Sequence, residues 1–137
     1  MMNERILLAH GKDLMRYMPC AKEGEPASVV YVSMEQRKGK EVTPELKSCA
    51  KRVVAEGGIP VFPYLMYDRL YPSAGFADAA IIRTMTLLLL VHCDEVRVFG
   101  KHITASMLDE ICVAKALKIP VRFMDLDEDE EEEKDDE

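Results

Sequence analysis

Apolar positions along this chain fall into blocks of two different periods. Residues 28–33, SVVYVS, form a run of β-branched and aromatic residues between GEPA and a polar stretch, which predicts a buried strand. The period then changes. Leu46, Cys49, Ala50, Val53 and Val54 recur at helical spacing and give one apolar face. Thr43 can cap this helix, Pro44 fits its first position, and Gly57–Gly58 stop it. IPVFP at 59–63 reads as a second strand. The tyrosine-rich YLMYDRLYPSAGF at 64–76 reads as a loop, and ADAAIIRTMTLLLLVHC at 77–93 as a long apolar helix. EVRVF at 95–99 is a third strand that Gly100 ends, residues 104–118 a further helix, and IPVRFM at 119–124 a fourth strand.

Strands alternating with helices predict a parallel sheet with helices on its faces. The fold class is therefore α/β, a three-layer Rossmann-like or flavodoxin-like sheet of four to five strands. Ligands of such sheets bind at the carboxyl ends of the strands. Three loops gather there: 33–42, 63–76 and 100–106. ERILLAHGKDLMRYM, within residues 1–27, is an N-terminal extension that reads as a marginal amphipathic helix. The organisation is one domain, 28–126, with this extension and a tail.

Charge separates the tail from the body. Residues 127–137, DEDEEEEKDDE, hold ten carboxylates and one Lys, whereas the preceding residues hold 15 acids and 17 bases. A like-charge block of this kind cannot bury itself and is expected to be disordered. The near-neutral body has no basic run beyond RKGK at 37–40, which argues against nucleic-acid binding. LLLLV at 87–91 is too short to span a bilayer. Cys20, Cys49, Cys93 and Cys112 are scattered without CxxC spacing and no secretory signal is evident, so reduced thiols in a cytoplasm are expected. Cys93 and His92 fit no common zinc spacing.

The candidate chemistry lies at the start of the last helix. Thr104 or Ser106 can cap it, and Ser106 with Asp109 makes an S-x-x-D capping pattern. Asp109 thus has a structural explanation. Glu110 shares a line with Met107, Ala114 and Leu117, all apolar. A carboxylate there is expected to be partly desolvated and, as a first-turn residue, favoured in its ionised form by the helix dipole. Such a group can attack an electrophilic carbon. It can equally pair with Arg83 or a nearby Lys. Spacing alone does not separate Glu110 from Asp109.

VYVS with its polar loop, CAKRVVAEGGIPVFPYLMY, CDEVRVFG and ITASMLDEICVAKALKIPV, taken in order, resemble the nucleoside 2-deoxyribosyltransferase-like superfamily, in particular a small uncharacterised branch found in phages and gut bacteria. The similarity spans about residues 29–124. It implies that Thr104, Ser106, Met107 and Glu110 match the S-x-G-M-x-x-E pattern at the helix start, with Glu110 the nucleophile toward the anomeric carbon of a deoxyribonucleoside or its 5′-monophosphate. It implies that Asp94 helps to bind the sugar or to handle the leaving base's proton. The loop after the first strand, Ser33, Met34, Glu35, Gln36 and Arg37, would hold sugar or phosphate, with Gly100 at the same edge. Tyr64 and Tyr67 are candidates for stacking on a base. The resemblance implies no cofactor, and a homo-oligomer as the assembly. Three small residues of the pattern are replaced: SME stands where a glycine follows the first strand, Ser106 replaces a glycine, and Thr104 a serine. The expected function is cleavage or transfer of an N-glycosidic bond. The alternatives are a nucleotide-binding or sensor module of the same fold without turnover, and an interaction protein working through the acidic tail.

Overall fold

The computed structural model describes residues 27–35, 42–70 and 75–124, apart from the side chains at 68, 69, 76 and 77. The proposed N-terminal helix, the acidic tail, Arg37 and Tyr71 lie outside the described residues.

Four strands form one sheet: β1 (Ser28–Met34), β2 (Gly58–Val61), β3 (Glu95–Phe99) and β4 (Val121–Met124). All neighbours are parallel and the order is β2-β1-β3-β4. The helices between them are α1 (Pro44–Ala55), α2 (Pro63–Leu70), α3 (Phe76–Leu90) and α4 (Ala105–Ala116). This is the α/β three-layer arrangement expected, with a doubly wound strand order. The connection leaving β1 runs to β2 on one side, and the connection leaving β3 runs to β4 on the other. The switch point therefore lies between the carboxyl ends of β1 and β3.

One expected loop is a helix. Residues 63–70 form α2, two turns long. Pro63 suits a first helical position, because its missing N–H has no partner to lose there. The tyrosines and the later Pro72 and Gly75 gave this segment its loop-like composition, but the helix is complete before that Pro and Gly are reached. Tyr64 and Tyr67 are thus presented from a helix.

The strand period of two divides the sheet into two cores. Val30, Val32, Met34 and Phe99 pack with Leu46, Cys49 and Val53 of α1 on one face. Tyr31, Val96 and Val98 pack with Leu90 of α3 and Met107, Ile111 and Ala114 of α4 on the other. Thr43 caps α1, its hydroxyl accepting from Leu46 N at 3.2 Å. Gly58 has no room for a side chain: a Cβ there would stand 2.9 Å from Val53 Cγ1 and 3.0 Å from Val30 Cγ2. This close approach seats α1 on β1. At the other end of the sheet, Lys118 takes a left-handed φ of 61° and Ile119 N donates to Ala114 O at 2.8 Å, closing α4 in a Schellman turn.

On the α1 face, Arg97 is buried and bonds Glu95 and Glu56, while Arg122 of β4 reaches Glu95 at 3.5 Å. Register aligns Arg97 with Arg122, so the carboxylates between them offset two adjacent cations. No helix among the described residues is long and apolar enough to cross a membrane.

Candidate functional site

The fourth helix settles which of its two acidic residues faces inward. Thr104 is the cap, its hydroxyl accepting from Met107 N at 3.2 Å. The helix therefore begins at Ala105, and Ser106 is an exposed residue within it, not its cap. Met107, Glu110, Ile111 and Ala114 form its buried stripe. Asp109 points outward, its side chain 67% exposed and 3.5 Å from Arg83 Nη2. Two expectations are corrected here. Asp109 balances a cation and does not complete a capping pattern. Glu110 lies in the second turn, since no acidic residue occupies the first. At 1.5 Å rise per residue it sits ~7.5 Å along the axis from Ala105, past the reach of the dipole effect, which fades within the first turn.

Glu110 is 1% exposed, more deeply buried than its sequence position suggested. Its surroundings come from four elements. Tyr31 projects from β1, Tyr64 from α2 and Arg83 from α3, and Asp109 is its neighbour on α4. The Tyr64 hydroxyl lies 3.5 Å from Glu110 Oε1, and Arg83 Nη1 lies 3.8 Å from the same oxygen. Both are long contacts. Arg83 makes its short ones elsewhere: Nη1 donates to Tyr64 Oη at 2.5 Å and Nη2 to the Ser106 carbonyl at 2.7 Å.

Three buried polar atoms have no hydrogen-bond partner among the described residues: Glu110 Oε2, Tyr31 Oη and Ser33 Oγ. Tyr31 and Ser33 occupy alternate positions of β1, on the face that carries α4. A buried polar atom left unpartnered costs ~1–3 kcal/mol. Such atoms are unusual enough in a folded core to mark a place where a ligand or solvent group belongs.

Electrostatics follow from this burial. Desolvation pushes the Glu110 carboxyl above its ordinary range; the hydroxyl of Tyr31, the charge of Arg83 and the hydroxyl of Tyr64 pull it back, and Asp109 pushes it up again. Burial, then the charge of Glu110, raises the phenol of Tyr31 far above the ordinary value. The Tyr31 hydroxyl is near enough to act on Glu110, yet completes no hydrogen bond of good geometry. Tyr64 is raised by the same two causes, with Arg83 opposing. Both tyrosines therefore remain proton donors at neutral pH.

Other expected site residues are dispersed. Asp94 is at the opposite edge of the sheet: it precedes the first residue of β3, and its Oδ2 accepts from Val29 N at 2.8 Å. Asp94 N in turn donates to Val29 O at 2.8 Å. It joins the amino ends of β1 and β3, about the length of a five-residue strand (~15 Å) from the ligand edge. The Asp94 carboxylate is taken up by Val29 N and is not among the groups acting on the Glu110 carboxyl. Gly100 ends β3 at the ligand edge with φ 104°, a conformation that favours glycine. Glu35 is exposed just beyond β1, and Met107 is buried beside Glu110 in the helix stripe. Tyr67 is buried. Neither Glu35 nor Tyr67 is among the groups acting on the Glu110 carboxyl. Among the described residues, no group of three or more His, Cys, Asp or Glu side chains could hold a metal ion.

Of the groups around Glu110, Tyr31 was missed and Arg83 was read only as an ion-pair partner, not as a site residue. Tyr31 reads in sequence as one more apolar strand position, because a phenol packs like a hydrophobe along most of its length. Arg83 interrupts the most apolar helix of the chain, and that interruption was the available signal.

The family model described as Domain of unknown function (DUF7768) matches residues 29–124. The chain belongs to this family. The DUF7768 match runs from Val29 in β1 to Met124 in β4 and so takes in the whole sheet, together with Tyr31, Tyr64, Arg83 and Glu110. No match was found among curated proteins.

Proposed function

We propose that the protein cleaves or transfers the N-glycosidic bond of a (deoxy)nucleoside or nucleoside 5′-monophosphate, as a member of the nucleoside 2-deoxyribosyltransferase-like group, with Glu110 as nucleophile. One observation carries this reading. A carboxyl with one unpartnered oxygen is buried against two tyrosine hydroxyls, beneath the switch point of a doubly wound parallel sheet.

The chemistry needs the ionised form. Glu110 attacks the anomeric carbon, the bond from that carbon to the base nitrogen breaks, and its electron pair leaves with the base, which takes up a proton from solvent. Water or a second base then attacks the same carbon, freeing the carboxylate and yielding the sugar or a new nucleoside. Tyr64 donates toward the carboxyl, the Tyr31 hydroxyl stands beside it, and Ser33 offers a hydroxyl on the same face of β1. Asp94 has no part in this step, being engaged with Val29 at the far edge.

Two broader features belong to this proposal. Buried cysteines outside any disulfide, Cys49 and Cys93, suit a reducing, cytoplasmic setting. Exposed Ile81, Leu88 and Val91 fall at helical spacing on and just beyond α3, a helix apolar nearly all round, and suit a homo-oligomer.

The placement of Asp94 favours a second reading, a nucleotide-binding module of the same fold that does not turn over. The deciding experiment is incubation with a panel of nucleosides and their 5′-monophosphates, with free base followed by chromatography. Release of base by the wild type and its loss in Glu110→Gln is the expected result. Ligand binding without base release in either protein supports the second reading.

A further inference from the structure

Arg83 is the group of this cluster whose bonding pattern the proposed chemistry leaves unexplained. A guanidinium beside a buried carboxylate ordinarily forms a short, bidentate pair with it. Arg83 does not. Its two terminal nitrogens are committed to Tyr64 Oη at 2.5 Å and the Ser106 carbonyl at 2.7 Å. The two carboxylates receive only its longer contacts, 3.5 Å to Asp109 and 3.8 Å to Glu110. Those bonds fasten α3 to α2 and to the first turn of α4, so the position of the charge is set by neutral partners.

We propose that Arg83 is a positioning residue, strapped by Tyr64 and Ser106 so that its charge stands beside Glu110 and keeps that carboxyl available as a carboxylate without neutralising it in a closed ion pair. The inference rests on the reading of Glu110 as the reactive group. A closed pair would hold the nucleophile's lone pairs in hydrogen bonds. Removal of the cation would leave burial to protonate it. A cation held back by a tyrosine and a carbonyl avoids both outcomes. The groups facing Glu110 are Tyr31 from β1, Tyr64 from α2, Arg83 from α3 and Asp109 from α4. Arg83 is the only cation among these four, so the effect of its removal has no substitute within the set. Lys is not equivalent. A single ammonium carries the charge but cannot span Tyr64 Oη and the Ser106 carbonyl as a planar fork does.

The test is direct titration of Glu110 in the full chain by carboxyl-carbon NMR with labelled glutamate, the resonance assigned by its disappearance in Glu110→Gln. Arg83→Met is expected to move the Glu110 midpoint upward by about one unit or more, the usual effect of losing an opposite charge at this range. Arg83→Lys is expected to restore part of that shift. The same variants, assayed for base release against pH, should show the acidic limb displaced alkaline by a matching amount. Folding of each variant is checked by its amide spectrum. Should Arg83→Met fold poorly, Arg83→Gln, which keeps a polar side chain on α3 and removes the charge, is expected to move the midpoint upward as well. A Glu110 midpoint unchanged in a folded Arg83→Met protein overturns the positioning role, whether or not base is released. A midpoint that moves in a wild type releasing no base retains the role of Arg83 and overturns the enzyme reading alone.

Discussion

Glu110 is costly to bury, and its cost has a pH signature. Its folded-state pKa lies above the ordinary 4.5, mainly through desolvation. The folded protein therefore holds this proton more tightly than the unfolded chain does. Its contribution to stability is present in full below 4.5 and is lost as pH rises through the raised folded value. Glu110→Gln removes the ionisation while keeping the shape. Thermal melts should coincide for wild type and variant at low pH and diverge above 4.5, with the variant the more stable. A constant offset across pH would place Glu110 in a solvated environment instead, and a variant growing less stable as pH rises would place it in a closed ion pair. Alignment with Met107 and Ala114 suited an inward Glu110, but spacing alone did not separate it from Asp109, and the helix in place was needed to choose. Its depth was not legible either, because Thr104 and Ser106 both offered a cap, and the choice between them changes the distance of Glu110 from the helix start by ~3 Å. Arg83 was open to reading as a cation for Glu110, but Tyr31 was illegible as a partner for a different reason: its meeting with Glu110 joins β1 and α4, elements distant in sequence, and no local period encodes it.

Elements whose ends carry their own chemistry were the readable ones. Thr43, Pro44 and the Gly57–Gly58 pair bracket α1 within a residue or two of its observed span, Pro44–Ala55. The strands at 28–34, 95–99 and 121–124 were plain from their β-branched runs. The element that failed, α2, has eight residues and no side-chain cap read in sequence, so composition outweighed period there. The caps also bear on the site, because α4 orients Glu110. Thr104→Ala should cost ~1 kcal/mol, read as a lower urea midpoint with an unchanged slope. Base release should fall with it, since the first turn of α4 also carries the Ser106 carbonyl that anchors Arg83. An unchanged midpoint would mean that the Thr104 hydroxyl does not hold the helix start.

For the molecule as a whole, sheet topology decides where a ligand can go and which residues cannot meet it. Parallel pairing sends Asp94 to one edge and Gly100 to the other, and no side-chain rotation reverses that. The outer line of α3 sets the expected assembly: Leu88 is 59% exposed. Sedimentation should give a mass above that of one chain for the wild type, reduced to one chain by Leu88→Glu; a wild type monomeric at micromolar concentration would remove α3 as an interface. The central claim is the bond that Glu110 forms with a sugar, and mass spectrometry tests it most directly. The intact protein is quenched in acid during turnover of a nucleoside or nucleoside 5′-monophosphate, and its peptides are mapped. The account predicts one added glycosyl group on the peptide containing Glu110, absent from Glu110→Gln. Base release with the adduct on another residue, or with no adduct and an active Glu110→Gln, would contradict it.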